Sequence, residues 1–184
     1  NDINDNVLEE IKRLGITDIW LTGVIQHATT TTYKEHGIPP TNPLIVKGKA
    51  GSPYAITDYY DIDPDLCEDK RRRMQEFTEL VKRSHHANLK VIIDFVPNHV
   101  AREYHSTCRP KGVEDLGATD NPAWAFSPLN NFYYIHEPFA PYFDIQGYSE
   151  SPARATGNDC FTAHPSKDDW YETVKLNYGV FYQG

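Results

Sequence analysis

The sequence predicts a parallel α/β fold, because amphipathic helices alternate with short apolar strands. Apolar residues recur at helical spacing over residues 7–14, and Gly15 supplies a left-handed end for this first helix. The apolar run over residues 17–24 has the length and composition of a buried parallel strand. A second helix over residues 69–87 leads directly into a second strand over residues 90–96, which is apolar on both faces and is expected to be buried under helices.

The stretches between and after these elements predict loops. Residues 25–53 are rich in Thr, Gly, Pro and His without a period, which indicates a long loop. Residues 55–64 are predicted to be a loop or an edge strand, because Pro64 cannot donate to a strand ladder. Asn88 is expected to end the second helix in a left-handed conformation. From Pro97 onward, aromatic residues, prolines and glycines replace periodic patterns, and loops of such length are usually functional.

The composition argues against several classes of function. The formal net charge of −8 and the pI of about 5.4 have the wrong sign for a protein that binds nucleic acid through its phosphates. No apolar run reaches about 18 residues and no charged-then-apolar segment begins the chain, so neither a membrane span nor a signal peptide is expected. The three cysteines are too few and too scattered for a disulfide framework or a CxxC metal site, and a Cys108–Cys160 bridge and free thiols remain equally open.

The strongest local signal is D-F-V-P-N-H at residues 94–99, at the carboxyl end of the second strand. Asp94 interrupts an apolar run, and burying an ionised carboxylate is costly unless a cationic or multidentate partner binds it. Asp94 is therefore either a structural carboxylate with a cationic partner or part of a site. Asn98 and His99 lie where parallel α/β proteins present ligand-binding groups. By residue type alone, His99 fits an ordinary hydrogen-bonded loop histidine better than a ligand-binding residue.

The pattern D-x-x-x-N-H at the end of a buried strand resembles the first signature region of the α-amylase family, glycoside hydrolase family thirteen. Residues 14–22 are similar to the first helix and second strand of that family, and residues 52–64 to the loop that follows. Residues 80–94 resemble its second helix and third strand, and V-K-L-N at residues 174–177 resembles the signature near the end of its inserted domain. These matches, in the family's order, imply a partial (β/α)8 TIM barrel, from about helix 1 to strand 3, with a long loop-rich insertion after strand 3.

The resemblance implies roles for four residues. Tyr54 would stack on the sugar ring at the cleavage subsite, since the C–H bonds of a pyranose pack on an aromatic face. His99 would hydrogen-bond hydroxyl groups of the same sugar. Asp94 would support the site by pairing with an arginine on the next strand of the barrel, and Asp58 would support Tyr54. The aromatic residues of the insertion are open to two interpretations, as stacking platforms for neighbouring glucose units or as the small core of a loop-rich subdomain.

The resemblance also implies a structural calcium ion, with Asn98 as an oxygen ligand. The sequence departs from the calcium-binding pattern, because Lys175 stands where many members of the family have an aspartate. A lysine ammonium cannot coordinate a cation, so a second interpretation has Asn98 hydrogen-bonded to local backbone without calcium. No other cofactor is implied.

The implied domains are a partial catalytic barrel over residues 1–99, an inserted domain B over residues 100–175 and a return toward the barrel over residues 176–184. A complete barrel needs about 250 residues. A chain of 184 residues is therefore interpreted as a fragment that requires the rest of its own barrel.

Retaining glycosidases use two carboxyl groups about 5 Å apart, one as nucleophile and one as acid/base. In the family these lie on the fourth and fifth strands, and the sequence has no G-x-R-x-D segment to supply the nucleophile. The acidic residues that remain in the insertion are interpreted as solvated loop acids, namely Asp144, Asp159, Asp168 and Asp169. The chain alone is expected to be inactive.

The resemblance thus implies a fragment of a retaining hydrolase or transglycosylase acting on α-glucans such as starch, glycogen and maltooligosaccharides. A second hypothesis is a non-catalytic glycan-binding or interaction protein derived from the same fold. The two differ in whether the carboxylate pair occurs in the parent protein. A third hypothesis, an independent small α/β module with an accidental match, predicts that the chain has no relationship to the family.

Overall fold

The computed structural model describes residues 2–182, which form two helices and eight short strands joined by long loops. In chain order the elements are α1 (Asp5–Arg13), β1 (Asp18–Leu21), β2 (Ile25–His27), β3 (Ile56–Ile62), α2 (Arg73–His86), β4 (Lys90–Ile93), β5 (His99–Ala101), β6 (Tyr134–Ile135), β7 (Ala153–Arg154) and β8 (Thr173–Lys175). Over these residues the strands form four two-stranded sheets and do not close into a barrel. Neither described helix is long and apolar enough to cross a membrane.

The two predicted helix–strand units are confirmed. β1 and β4 pair in parallel along their whole lengths. Gly15 has φ of +82° after α1, and Asn88 has φ of +55° after α2. A left-handed residue closes the last turn of a helix and lets the chain reverse within two or three residues. The order helix, strand, helix, strand therefore brings the carboxyl ends of β1 and β4 to one edge of the pair.

The prediction that both parallel strands are buried is wrong for this chain. Trp20 in β1 is 66% exposed, Ile92 in β4 is 48% exposed and Phe95, just beyond β4, is 67% exposed. Parallel strands are buried on both faces only when further strands and helices cover them. Two strands and two helices are too few to do so, and a largely apolar surface remains on this pair.

Residues 55–64 are predicted to be a loop or an edge strand, and Ile56–Ile62 form β3, which is an edge strand because its sheet has only two strands among the described residues. β3 pairs antiparallel with β2, which itself lies in the stretch predicted to be a loop. Ile56 and Ile62 are 1% and 6% exposed at the two ends of β3. Polar side chains between them obscure the strand pattern, since Asp58 and Asp61 are buried and find their partners elsewhere in the molecule.

Residues 100–175, which the resemblance implies to be an insertion, contain no long element in the structure. Small clusters of side chains hold this segment together. One cluster joins Ile45 to Phe139 and Ala153, and another joins Val100 to Phe132 and Val174. Several aromatic residues thus belong to the core of the insertion, whereas others are exposed, including Trp124 at 61% and Tyr142 at 80%. All three cysteines are free, so the Cys108–Cys160 bridge is absent.

A charged cluster fastens the insertion internally. The guanidinium of Arg102, 1% exposed as a residue, lies 2.6 Å from Glu150 and donates to the carbonyl oxygens of Tyr171 and Thr173. Arg154 binds the other oxygen of Glu150 at 2.8 Å. The two arginines hold the pKa of the buried Glu150 carboxyl below its usual value. Strands β5, β7 and β8 are tied together at this point.

Candidate functional site

Tyr54 and His99 line one cavity of about 350 Å³, near the carboxyl end of β4. Tyr54 comes from the loop before β3, and His99 is the first residue of β5. Lys47, Trp170 and Glu172 also line this cavity. The volume is within the range of small-ligand sites, about 300–1,000 Å³. The structure thus brings together the two residues that the sequence proposed as sugar contacts.

The position of His99 is fixed on several sides. β5 pairs antiparallel with β8, and the His99 ring packs edge-on against Trp170 with ring centroids 5.1 Å apart. The Asn98 amide nitrogen lies 3.0 Å from His99 Nδ1. Burial lowers the pKa of His99 by more than the hydrogen bond to the Tyr54 backbone raises it, and the charge of Lys175 also lowers it. The imidazole is therefore neutral at neutral pH and suited to hydrogen-bond a hydroxyl group.

Two glycines allow the chain to pass close to this cavity. A Cβ on Gly157 would lie 2.8 Å from both Cβ and Cγ of His99, so a side chain there would push the imidazole aside. Gly51 has φ of +72°, and its Cβ would lie 1.8 Å from the Ala28 carbonyl oxygen. A position with positive φ and no room for a methyl group admits glycine alone.

Asp94 supports Tyr54 without a cationic partner among the described residues. Its Oδ1 accepts a hydrogen bond from Trp20 Nε1 at 2.7 Å, and its Oδ2 accepts one from the Tyr54 hydroxyl at 3.3 Å. The charge of Asp94 raises the pKa of that hydroxyl. Asp94 lies just beyond β4 and is half-buried in this chain. The arginine that the resemblance implies as its partner would come from the next strand of the barrel, so that pairing stays a prediction.

Asp58 is fully buried and serves the insertion, not Tyr54. Its carboxylate accepts from the Ser106 hydroxyl at 2.6 Å and from the backbone nitrogens of Thr107 and Cys108 at 2.8 and 3.0 Å. The carboxylate thereby anchors the start of the insertion to β3. The neighbouring Asp61 binds the guanidinium of Arg73. Oxygen atoms of Asp58 and Asp61 and the sulfur of Cys108 lie within 4.8 Å of one another, yet these partners occupy them, and the group fits a structural role.

The surroundings of Asn98 do not fit a calcium ion. Lys175 Nζ lies 3.3 Å from Asn98 Oδ1 and 2.5 Å from Asp159 Oδ1. The Asn98 amide nitrogen donates to the Gly157 carbonyl oxygen at 2.7 Å. An ammonium group within contact distance of both oxygens would repel a divalent cation and take up its ligands. Asp159, interpreted from the sequence as a solvated loop acid, is one half of this ion pair.

A family model described as "Alpha amylase, catalytic domain" matches residues 5–151, which is most of the chain. The chain belongs to the α-amylase family. This membership excludes the hypothesis of an unrelated module with an accidental motif. The family assignment made from the motif at residues 94–99 is confirmed, whereas residues 174–177 lie beyond the matched range.

The curated relatives of this α-amylase family chain include glycosidases by name. It is 32% identical over 106 residues to Maltase 1 of Drosophila virilis, covering 55% of this chain and 13% of that protein. It is 30% identical over 97 residues to Alpha-amylase 3 of Dictyoglomus thermophilum, covering 53% and 14%. A further relative is the mouse Amino acid transporter heavy chain SLC3A1, 27% identical over 108 residues, covering 46% and 15%. The chain thus spans less than a fifth of each of these relatives.

Among solved structures, the debranching enzyme of Nostoc punctiforme superposes with a TM-score of 0.51 at 20% identity. The match covers 95% of this chain and 26% of the enzyme's chain. At this identity the likeness concerns the fold alone. It extends over the insertion as well as over the helix–strand units.

Three residues of the cavity were not singled out as site residues from the sequence. Lys47 lies in a stretch without periodicity, and Trp170 was one of many aromatic residues in the insertion. Glu172 lies two residues before the V-K-L-N motif at residues 174–177. This proximity to a family motif was the one sequence signal that could have indicated Glu172 as a site residue. The contacts that bring these residues to His99 span more than 50 positions of sequence, which no local pattern encodes.

Proposed function

We propose that this chain is part of the catalytic barrel of a retaining α-glucan-active hydrolase or transglycosylase, in which Tyr54 and His99 bind one glycosyl unit. The observation that carries the proposal is that these two residues line one cavity at the carboxyl end of a parallel strand. Parallel α/β enzymes place their ligands at that end. Membership of the α-amylase family and the names of the relatives support the substrate class.

In this proposal residues 1–99 are the part of a (β/α)8 barrel from about helix 1 to strand 3. The parallel pairing of β1 and β4 and the exposed apolar side chains on that pair support it. Residues 100–175 are the inserted domain, and the pairing of β5 with β8 brings its two ends together. Residues 176–184 return toward the barrel, and positions 183 and 184 of that segment lie outside the described residues.

The proposed roles follow from the chemistry of each side chain. Tyr54 is 43% exposed, with its hydroxyl held by Asp94, so a ring face is available to the C–H groups of a pyranose. His99, neutral and fixed by its neighbours, hydrogen-bonds hydroxyl groups of the same unit. The nucleophile and the acid/base carboxyl would belong to later strands of the barrel. The Lys175 ammonium group binds both Asn98 and Asp159 where a calcium ion would otherwise be coordinated, so the proposed site needs no metal.

The first test is the effect of His99→Ala on hydrolysis of maltooligosaccharides by the full-length protein. Loss of a hydrogen bond to the bound sugar predicts a fall in kcat/KM of about tenfold or more. His86→Ala, which removes an exposed imidazole from the end of α2, is the matched control and should leave kcat/KM unchanged. A His99→Ala variant as active as the parent would remove His99 from the site.

A second candidate, a non-catalytic interaction protein of the same fold, is favoured by the relationship to the transporter heavy chain. The two candidates differ in the reading frame beyond Gly184. If the protein is an enzyme, a G-x-R-x-D strand and a later glutamate should be encoded there. The full-length protein should then release reducing sugar from starch, and the 184-residue chain alone should release none. An intact reading frame without those carboxylates would favour the interaction protein.

A further inference from the structure

Lys47 and Glu172 form a charged pair in the wall of the cavity that Tyr54 and His99 share. The Glu172 side chain is 7% exposed, and its Oε2 makes no hydrogen bond with the described residues. The Lys47 ammonium lies 3.5 Å from that oxygen. A buried carboxylate oxygen without a hydrogen-bond donor is costly, and in native proteins it indicates a missing partner.

The geometry leaves hydrogen-bonding capacity on both members of the pair. Lys47 Nζ donates one hydrogen bond to the Asp169 carbonyl oxygen at 2.7 Å. An ammonium group has three protons, so it can still donate to a ligand beside Glu172. Lys47 lies in the loop between β2 and β3, and Glu172 lies between Trp170 and strand β8. Neither side chain is fully exposed, since that of Lys47 is 35% and that of Glu172 is 7% exposed.

We propose that Lys47 and Glu172 bind two neighbouring hydroxyl groups of the glycosyl unit held by Tyr54 and His99, and so select the configuration of those carbons. The Glu172 carboxylate accepts a hydrogen bond from one hydroxyl group, and Lys47 Nζ donates one to the next. The proposal rests on the proposed function, since it names the groups that choose the sugar at the same site. A carboxylate and an ammonium side by side match a vicinal diol, which offers both a donor and an acceptor.

Binding of a non-hydrolysable thio-linked maltotriose and its monodeoxy analogues to the full-length protein, measured by titration calorimetry, tests the pair. Glu172→Gln and Lys47→Met are each expected to raise the Kd for thio-maltotriose about five- to tenfold, because charge-assisted hydrogen bonds are about twice as strong as neutral ones. Asp168→Asn and Lys167→Met make the same chemical changes at exposed positions of the insertion and should leave the Kd unchanged.

The monodeoxy analogues separate direct contact from a purely structural effect. Removing the hydroxyl that Glu172 binds should weaken binding to the parent protein, and the same removal should have no further effect in Glu172→Gln. Unchanged affinity of both pair variants, or an equal loss for every analogue, would overturn the assignment of the pair. Failure of the parent protein itself to bind thio-maltotriose would instead overturn the proposed function, and the pair with it.

Discussion

At the residue scale, the cavity is lined by side chains whose conformations are restricted by contacts with neighbouring residues. The ring of Trp170 and the backbone of Gly157 both lie close to His99, and burial lowers the pKa of His99. Asp94 holds the Tyr54 hydroxyl in turn. In the proposed function, a neutral imidazole and an oriented phenol would bind sugar hydroxyls and C–H groups without the rearrangement that flexible groups would require.

A second histidine has the opposite electrostatic setting. His27 Nδ1 lies 2.7 Å from Asp63, and His27 Nε2 lies 3.1 Å from the Ala50 carbonyl oxygen. Burial lowers the pKa of His27, but the Asp63 carboxylate and the backbone carbonyls outweigh it, so the pKa is raised above 6.5. Protonated His27 therefore stabilises the folded protein below pH 6.5, and this contribution is lost as the pH rises through the raised folded-state pKa.

Thermal melts of the full-length protein and of His27→Gln test this linkage. The Tm of the parent protein should be higher than that of the variant. This difference in Tm should be largest below pH 6.5 and should shrink at higher pH. His86→Gln, at an exposed position, should show no pH-dependent difference. A His27→Gln difference that is constant or grows with pH would contradict the assignment.

The sequence indicates some residues of the candidate site and gives no signal for others. Tyr54 and His99 follow from local motifs, because each motif is continuous in the chain. Glu172 and Lys47 acquire their environment through contacts between the insertion and the loop before β3. The partners of Asp58 likewise come from residues 106–108, which lie 48 to 50 positions away. Such pairings depend on the tertiary fold and leave no periodic signal.

At the scale of elements, the sequence locates those with regular apolar spacing and leaves β3, whose buried residues include polar ones, open between a loop and an edge strand. α2 and β4 have that regular pattern and were located to within a few residues. β3 has buried aspartates among its apolar residues, and its burial depends on Ser106 and Arg73. The insertion has no long element in the described residues, and its stability rests on the cluster of Arg102, Glu150 and Arg154.

Arg102→Met should destabilise the insertion strongly. Methionine is an unbranched side chain close to arginine in length, but it has no charge, so the buried Glu150 loses one positive partner. Breaking such a buried pair lowers the free energy of unfolding by about 3–5 kcal/mol. Limited proteolysis of the full-length protein should cut within residues 100–175 much faster in this variant. Lys111→Met, at an exposed position of the insertion, should be cut at the parental rate. Equal rates for Arg102→Met and the parent would show that the cluster does not fasten the insertion.

At the scale of the whole molecule, the helix–strand units, the insertion and the exposed strand pair fit one arrangement. β1 and β4 present Trp20 and Ile92 to solvent, and Phe95 is exposed beside them. Exposed apolar strand surface favours association, and the proposed barrel would cover it with further strands and helices. The cavity lies at the edge of this pair, where later strands of the barrel would bring their carboxylates.

The most direct test of the central claim is a crystal structure of the full-length protein with thio-linked maltotriose. The account predicts one glucose ring packed against Tyr54, with a hydroxyl group within hydrogen-bond distance of His99. It also predicts that two carboxyl groups from later strands lie about 5 Å apart beside the sulfur linkage. A sugar bound elsewhere, with the Tyr54–His99 cavity free of it, would contradict the account.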